Sequence, residues 1–516
     1  MSLSKAKKAA NTVAILMVAN FIVKFFGLFR EILIARYYGT SELTDAYTIA
    51  HNIPMILFSM VAHVIATTFI PMYSRISSER GEKEAKSFTL HLLQVLLSFC
   101  LIITLLGELF TKQVVYLFAP GFTGKKLLKT ITFTRILLPS ILGMTLFDLF
   151  GSYLQKNEKF KPIAIVPIVG NTVIIISLVV SNLYKDIDIF VFGILFGLII
   201  QVLFYVPFVK KCGLFNSRWN GTFNDKYLYE LLPLIIPVII GAGVNEINSL
   251  IDKSLVSGLK TGSVSALNYS YKILNLVVGV LVAAIVTVWY PTIANLASSG
   301  KLKEFEEKCN FIISVTFAIV LPISLFVILF RVDITTLLFQ RGSFNEISTE
   351  MTSSALMFYS VGLSAIGIRD FLIRVFYCKQ DTKTPMINGV VCAFINIALD
   401  IILIRIMGHN GAALATSLVA IFGDIVLIAV LSRKGVMKLR KQFITIIKTI
   451  VSAVLSVLCA YLAYKKLAIS IDCVYQRIFM DGLIAGFTFI LYWIFQFIVN
   501  RQLAVGLFGI VFNKGR

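Results

Sequence analysis

The chain has 516 residues, of which 58% are hydrophobic and only 15% are charged, whereas an ordinary soluble domain carries about 25% charged residues. Its mean hydropathy is +0.86 and apolar segments extend over its whole length, which excludes a soluble globular protein and predicts a polytopic membrane protein. The net charge of +21 is typical of basic cytoplasmic loops that face anionic lipid. We therefore expect membrane lipids, and no nucleic acid, among its partners.

Cysteine and histidine lack the spacing of a metal centre. The seven cysteines include no C-x-x-C pair and the four histidines form no cluster, which argues against a disulfide framework or a metal site. The sequence also lacks a G-x-x-x-x-G-K-[ST] run for nucleotide phosphates. We predict a protein that is not an enzyme and has no cofactor. The rival from the enzyme class is a membrane-bound glycan ligase or polymerase, which would need a positioned base and usually a sizeable outer domain.

Fourteen apolar segments are long enough to cross a hydrocarbon core of roughly 30 Å as helices. With the N-terminus in the cytoplasm, the inner loops carry a roughly threefold excess of Lys and Arg over the outer loops. The pattern predicts an all-α membrane protein with both termini in the cytoplasm and with spans at 10–37, 43–73, 87–109, 127–153, 163–183, 188–209, 228–256, 264–294, 309–330, 349–376, 386–406, 410–432, 442–463 and 476–499.

The first two spans contain charged residues where hydrocarbon is expected. Lys24, Arg30, Glu31 and Arg36 lie on the first span, and Asp45 begins the second. Because an ionisable group inside a bilayer is costly, such groups usually face a bundle interior or a water-filled cavity. The guanidinium fork of arginine and the compact charge of lysine both suit a phosphate, so the cluster predicts an anion-binding cavity wall. The alternative is a set of internal salt bridges, such as Arg30–Asp45 or Lys24–Glu31, that lock the helices together.

An internal repeat divides the chain. FIPMYSRISS (69–78) resembles WYPTIANLASS (289–299), LFAPGF (117–122) resembles LFQRGSF (338–344), and KNEKFKP (156–162) resembles KQDTKTP (379–385). The near-constant offset predicts two six-helix lobes, 1–226 and 227–441, related by a pseudo-twofold axis along the membrane normal. Residues 442–516 add two further helices and a cytoplasmic tail. A bundle of two lobes with a site between them is the architecture of an alternating-access transporter.

Two further polar clusters follow in the second half. Lys272 lies near Glu246 and Asp252 in the sequence and, by the repeat, corresponds to the first cluster. It is either a substrate contact or part of a structural pair, Asp252–Lys272 or Glu246–Lys272. Asn396 and Asp400 share a helix face and are followed by Thr416 and Asp424. Their hard oxygen ligands suit an alkali cation or a proton relay, or else an interhelical hydrogen-bond network.

Five segments carry a resemblance to a known family: GLFREILIARYYGTSELTDAYTIAHNIP at 27–54, APGF at 119–122, FQRGSF at 339–344, YSVGL at 359–363 and KQDTKTP at 379–385. Over its whole length the chain resembles the MurJ (MviN) family of lipid II flippases, within the MOP (MATE-like) transporter superfamily. The resemblance implies a protein of the bacterial cytoplasmic membrane, acting in peptidoglycan biosynthesis. It would move an undecaprenyl-pyrophosphate-linked disaccharide-pentapeptide from the inner to the outer leaflet, driven by membrane potential, a cation or both.

The resemblance also implies roles for individual residues. The family's essential cavity arginine falls on Arg30 and its essential aspartate on Asp45, while two further arginines become Lys24 and Lys272. Glu31 completes the predicted substrate-binding set. The family's sodium site resembles Asp252, Asn396, Asp400 and Thr416, and the last two helices would form the groove for the lipid tail.

The main departure from the family is Phe58, which stands where the family often carries an arginine. The prediction is a lipid II flippase that acts as a monomer. The alternatives are a flippase for another polyprenyl-pyrophosphate-linked glycan, of O-antigen, capsule or teichoic type, and a MATE-like small-molecule antiporter.

Overall fold

The computed structural model describes residues 3–216, 227, 230, 246, 248, 250–436, 439–467 and 474–505. Within these ranges the chain consists of helices and loops without a strand, and it divides into two compact units. The first comprises residues 1–265 with 342–344, and the second comprises 266–341 with 345–516. The all-α prediction is therefore confirmed for the described residues. The sequence predicts a boundary between the lobes at residues 226 and 227, and residue 226 lies outside the described residues.

The first unit contains eight α-helices that lie wholly within its continuously described residues 3–216, and residues 250–257 are also helical. The eight helices are α1 (Leu3–Tyr38), α2 (Glu42–Arg80), α3 (Glu82–Leu109), α4 (Thr111–Phe118), α5 (Gly124–Leu137), α6 (Ser140–Lys156), α7 (Phe160–Tyr184) and α8 (Ile187–Lys211). Helix α2 packs against α3, α5 and α6, while α7 packs against both α1 and α8. This packing buries large aromatic side chains, including Phe69, Tyr73, Phe133, Tyr153 and Phe190, and such van der Waals packing helps to hold helices together in a membrane.

The second unit continues from α9 (Ser263–Val277), which begins in the first unit. It then contains α10 (Ala283–Ser298), α11 (Leu302–Leu329), α12 (Arg331–Phe339), α13 (Glu346–Val361), α14 (Leu363–Cys378), α15 (Lys383–Met407), α16 (His409–Arg433), α17 (Leu439–Leu467) and α18 (Val474–Val499). Its core joins residues of α9, α11, α14 and α16, with Phe305, Phe371 and Phe376 at most 1% exposed. A π-helical turn, Val278–Val282, connects α9 to α10.

The predicted spans can be compared with these helices. Among the described residues, ten helices are long and apolar enough to cross a membrane, or eleven when α13 and α14 are taken as one span bent by 46°. Two other predicted spans, 10–37 and 264–294, coincide with α1 and with α9–α10. The predicted span 228–256 lies mostly outside the described residues. The chain is a multi-pass helical membrane protein, and fourteen spans remain consistent with the structure.

Local conformation repeats between the two halves. The short helices α4 and α12 both follow a long span, and the fourth and tenth spans are both interrupted near their middle, at 138–139 and at 362. Positive backbone φ angles also recur in pairs, 219 to 223 positions apart, at 39 and 262, 81 and 300, 158 and 380, 185 and 408, and 213 and 435. The repeat seen in the sequence therefore extends to the turns. Three of these pairs are glycine at both positions, and the residue types differ only at 158 and 380 and at 185 and 408.

Candidate functional site

Arg30 lies on α1 and faces α7. Its guanidinium donates to Glu31 Oε1 at 3.3 Å and to Asn171 Oδ1 at 3.4 Å, and its side chain is 25% exposed. Both bonds are long for charge-assisted hydrogen bonds, which are usually about 2.7–2.9 Å. The buried Nε makes no hydrogen bond within the described part of the chain. A guanidinium has five N–H donors, and these two hydrogen bonds use only two of them.

Asn171 is held in position by the helix that carries it. Its Nδ2 donates to the Pro167 carbonyl at 2.9 Å, so its Oδ1 points away from that carbonyl and accepts from Arg30. Glu31 is 4% exposed, and its carboxylate balances the arginine charge. The result is a partly buried polar cluster of Arg30, Glu31 and Asn171 inside the first unit.

Asp45 lies in the first turn of α2, after the N-cap Ser41. Its side chain is 1% exposed and pairs with Lys126 Nζ at 2.7 Å. It also accepts from the Gly262 amide, the Ser265 amide and the Ser265 hydroxyl, each at 2.8 Å. Four hydrogen-bond donors therefore surround this one carboxylate, which lies at the N-terminus of α2 where the helix dipole favours a negative charge. The Arg30–Asp45 pair that the sequence left open is replaced by two separate ion pairs, Arg30–Glu31 and Asp45–Lys126.

Gly262 has a backbone requirement at this junction. Its φ is +91°, and a Cβ at this position would lie 2.7 Å from the Thr40 carbonyl oxygen. Only glycine adopts this conformation without cost, and the conformation directs the Gly262 amide at Asp45.

Two of the sequence landmarks make hydrogen bonds to other segments of the first unit. In APGF, the Gly121 amide donates to Ser257 Oγ at 3.0 Å. In FQRGSF, the Ser343 amide donates to the Arg36 carbonyl at 2.8 Å and Ser343 Oγ donates to the Tyr37 carbonyl at 2.9 Å. We call the contacts made by 36–45, 119–126, 257–265 and 342–344 the Asp45 junction. These landmarks connect segments that are far apart in the sequence.

The remaining predicted substrate contacts have different surroundings. Lys24 is exposed on α1, and Lys272 is partly exposed on α9 in the second unit. Phe58, at the position where an arginine was expected, is 6% exposed, so it is a packing residue of the first unit. The structure brings Arg30 and Glu31 together, and it places Asp45 in a separate cluster at the start of α2.

The second unit contains a buried polar stripe on α15. Asn388, Cys392, Asn396 and Asp400 recur every fourth residue and are all buried, and the Asn396 amide donates to Asp400 Oδ2 at 2.5 Å. The expectation that Asn396 and Asp400 share one face is confirmed. Thr416 on α16 donates to the Ala412 carbonyl at 3.0 Å. Asp252 belongs to the first unit, so the predicted four-residue ion site as a whole stays a prediction.

An ion pair lies near this stripe, since side-chain atoms of Arg369, Cys392 and Asn388 all surround Gly423. Arg369 on α14 donates to Asp424 Oδ1 at 3.3 Å, to the Val419 carbonyl at 3.1 Å and to the Ala420 carbonyl at 3.0 Å. Arg369 thereby ties α14 to α16, which is a structural role for a charged pair inside a bundle.

Sequence reasoning named Glu31 but missed Asn171 beside Arg30 and missed Lys126 and Ser265 beside Asp45. Asn171 had a usable signal, since it is a polar residue one turn after a proline in the apolar run IVPIVGNTVII. Lys126 and Ser265 had none, because nothing in the local sequence relates positions 81 and 220 residues away to Asp45.

Comparisons with known proteins show the family and the fold of the chain. A family model described as lipid II flippase MurJ matches residues 34–476. A probable lipid II flippase MurJ of Buchnera aphidicola is 27% identical over 457 residues, covering 87% of this chain and 89% of the relative. The solved structure of a lipid II flippase MurJ in an inward closed conformation has a TM-score of 0.80 at 25% identity, covering 95% and 99% of the two chains. An inward-facing MATE family transporter of the MOP superfamily has a TM-score of 0.69 at 15% identity, covering 82% and 98%, which is a likeness of fold.

Proposed function

Because this chain belongs to the lipid II flippase MurJ family, we propose that it moves lipid II from the inner to the outer leaflet of the bacterial cytoplasmic membrane. We place both termini in the cytoplasm, in accord with the excess of basic residues in the loops on that side, and we propose that the protein acts as a monomer. The observation that carries the proposal, beside the family, is Arg30: a partly buried cation in a membrane helix with unused hydrogen-bond donors.

Arg30 is proposed to bind the pyrophosphate of the substrate. Its bonds to Glu31 and Asn171 are long, so a dianionic group competes for the guanidinium at little cost. A bidentate arginine–phosphate contact is both stronger and more directional than the contacts it would replace. Glu31 keeps the arginine charge balanced while the substrate is absent, and Lys24 and Lys272 are proposed to add positive charge for the same headgroup.

The Asp45 junction is proposed to act as the closure on the outer side. Transport by alternating access needs contacts that hold one side shut and can be broken. The carboxylate of Asp45 is such a contact, because it accepts all four of these hydrogen bonds. A movement of this one side chain would break the four bonds together. The substrate role predicted for Asp45 is thus proposed to be indirect.

Two sources of driving force are proposed. A site with net positive charge responds to the membrane potential, at about 2.3 kcal/mol per elementary charge per 100 mV. A sodium ion is the proposed coupling ion, held by Asp252, Asn396, Asp400 and Thr416. The buried carboxylate and amide oxygens of α15 support this choice, because hard oxygen ligands suit an alkali cation.

The proposal is tested by native mass spectrometry of the protein purified from a bacterial membrane in mild detergent. We expect a co-purified species with the mass of lipid II, reduced in the Arg30→Ala variant and retained in Arg80→Ala, which removes an exposed arginine at the end of α2. A different polyprenyl-linked glycan would show that the substrate assignment is wrong. A bound small molecule and no polyprenyl lipid would favour the antiporter alternative.

A further inference from the structure

The Asp45 junction contains two contacts that correspond to each other through the internal repeat. In the first, the Ser343 amide donates to the Arg36 carbonyl at 2.8 Å and the Ser343 hydroxyl donates to the Tyr37 carbonyl at 2.9 Å. In the second, the Gly121 amide donates to Ser257 Oγ at 3.0 Å. We call these contacts the first clasp (36–37 with 342–343) and the second clasp (121 with 257–258).

The two clasps occupy equivalent places in the repeat. Positions 121 and 342 are 221 residues apart, and so are positions 36 and 257. Each clasp lies at the C-terminal end of a helix, because α1 ends at Tyr38 and the helical residues 250–257 end at the second clasp. In both clasps, a loop from one half of the repeat therefore contacts the end of a helix from the other half, and all of these residues belong to the first unit.

Both clasps require glycine, because backbone approaches backbone there with no side chain between. A Cβ at Gly342 would overlap the Arg36 carbonyl oxygen, and a Cβ at Gly121 would overlap the backbone of Gly258. Neither neighbour is the flexible end of a side chain, and close-packed contacts of this kind do not deform gradually. Buried aromatic residues anchor the two loops next to these glycines: Phe122 and Phe344. Each clasp is therefore either made or lost as a whole.

Asp45 connects the two clasps. It follows the first clasp along the chain, at the start of α2, and it accepts from the Gly262 and Ser265 amides, each at 2.8 Å, shortly after the helix end of the second clasp. It also pairs with Lys126 at 2.7 Å, five residues after the glycine of the second clasp. Removing one partner of a buried ion pair is strongly destabilising. A displacement of either clasp therefore disturbs the bonds of Asp45, and with them the other clasp.

We propose that the two clasps and Asp45 open and close as one cooperative unit, so that neither clasp opens alone. This cooperativity rests on the proposed role of the Asp45 junction as the outer closure, and Gly121 and Gly342 are positioning residues of that closure. The consequence for transport is that a half-open outer side is not populated. A carrier of this kind keeps its outer side sealed to ions while its binding site is open to the inner side.

The test is hydrogen–deuterium exchange of the purified full-length protein in lipid nanodiscs, without added substrate. Gly342→Ala overpacks the first clasp, and we expect exchange about tenfold or more faster at the Gly121 amide of the second clasp. Gly121→Ala should have the same effect on the Ser343 amide of the first clasp. Gly408→Ala is the matched control and should change neither amide, because Gly408 has the same φ of +60° as Gly342 and no atom of the described residues lies within 4 Å of the added Cβ.

Milder serine variants keep the test valid if the alanine variants of glycine fail to fold. Ser257→Ala removes the acceptor of the Gly121 amide, so exchange should become about fivefold faster at the Ser343 amide, the usual effect of one lost hydrogen bond. Ser343→Ala removes only the bond to the Tyr37 carbonyl and should have a similar effect on the Gly121 amide. Ser78→Ala, which removes an exposed hydroxyl near the end of α2, should affect neither clasp.

Two results would overturn the proposal. Faster exchange confined to the clasp that carries the substitution would show that the two clasps open independently. Unchanged exchange in all four clasp variants would show that these contacts do not hold the junction closed. Because exchange is measured without substrate, cooperative clasps in a protein that does not move lipid II would contradict only the proposed function.

Discussion

At the scale of single side chains, Arg30 combines a high desolvation cost with unused binding capacity. We expect Arg30→Ala to insert and fold normally but to fail to support growth when the native lipid II flippase is depleted. Charge-assisted hydrogen bonds contribute about 1.5–3 kcal/mol, which corresponds to a loss of roughly tenfold to a hundredfold in transport. Arg30→Lys keeps the charge and loses the planar fork, so its growth should be intermediate. Normal growth of Arg30→Ala cells would contradict the assignment.

Asp45 is expected to act through the contacts that it closes. Asp45→Asn replaces one acceptor oxygen by a donor and leaves Lys126 without its counter-ion, which costs several kcal/mol at a buried pair. We predict faster hydrogen–deuterium exchange at the Gly262 and Ser265 amides, both of which donate to Asp45. Asp188→Asn, which breaks the exposed pair with Lys129, is the matched control. Unchanged exchange in Asp45→Asn would show that the junction is held by other contacts.

At this scale, the sequence could predict features that depend on residues close together in the chain, and it could not predict contacts between distant residues. The cost of Arg30 in a span and the shared face of Asn396 and Asp400 follow from composition and helical geometry. The partners of Asp45 do not, because Lys126 and Ser265 reach it through the tertiary fold. A charge pattern alone could not separate the Arg30 and Asp45 clusters.

At the scale of elements, the KQDTKTP turn shows how a landmark stabilises a helix start. Asp381 accepts from the Thr384 amide at 3.0 Å and from its hydroxyl at 2.7 Å, and it also pairs with Lys434. The hydrogen bond from Lys434, followed by those from Thr384, holds the pKa of Asp381 well below its ordinary value. The turn thereby connects the start of α15 to the end of α16.

We expect Asp381→Ala to destabilise the protein by about 1 kcal/mol, the typical cost of losing a helix cap. Asp381→Asn, which keeps an acceptor for Thr384, and Lys434→Gln should each cost less. Since the folded pKa is depressed, the stabilisation is fully present above the ordinary aspartate pKa near 4 and is lost as the pH falls toward the folded value. Thermal unfolding in detergent at pH 7 and at about pH 2, below the ordinary aspartate pKa, measures this, and an effect of Asp381→Ala that is equal at both pH values would argue against the charged form.

The polar stripe of α15 gives a second element-scale prediction. If sodium binds there, the wild-type protein should unfold at a higher temperature in NaCl than in KCl of equal ionic strength, because a ligand that binds only the folded state stabilises it. Asp400→Asn should abolish the difference. Asp424→Asn, which breaks the Arg369 pair, should keep it. Equal melting of the wild-type protein in both salts would contradict the sodium site.

Helix position was more predictable than helix continuity. Long apolar runs identify the spans, because length and hydropathy decide membrane insertion. The breaks between α5 and α6 and between α13 and α14, and the short helices α4 and α12, depend on turn geometry and packing that a hydropathy pattern does not encode. Pro139 marks the first break, whereas the second falls at Gly362 without a proline.

At the scale of the whole molecule, the family and the fold agree, and the proposed headgroup contacts include lysine at positions 24 and 272. The resemblance implies arginine at these two positions and at position 58, where the structure has a buried phenylalanine. We therefore expect a headgroup site that relies more on Arg30 than on a shared wall of arginines. This leaves lipid II as the proposed substrate and makes its direct detection the decisive observation.

The most direct test measures lipid II in the outer leaflet of cells depleted of their native flippase. A membrane-impermeant enzyme that cleaves exposed lipid II reports the accessible fraction. When this chain is expressed, we predict that the accessible fraction returns to the level of undepleted cells and that Arg30→Ala, inserted to the same level, leaves it near that of depleted cells. Lipid II that stays inaccessible although the wild-type chain is inserted in the membrane would contradict the proposed function.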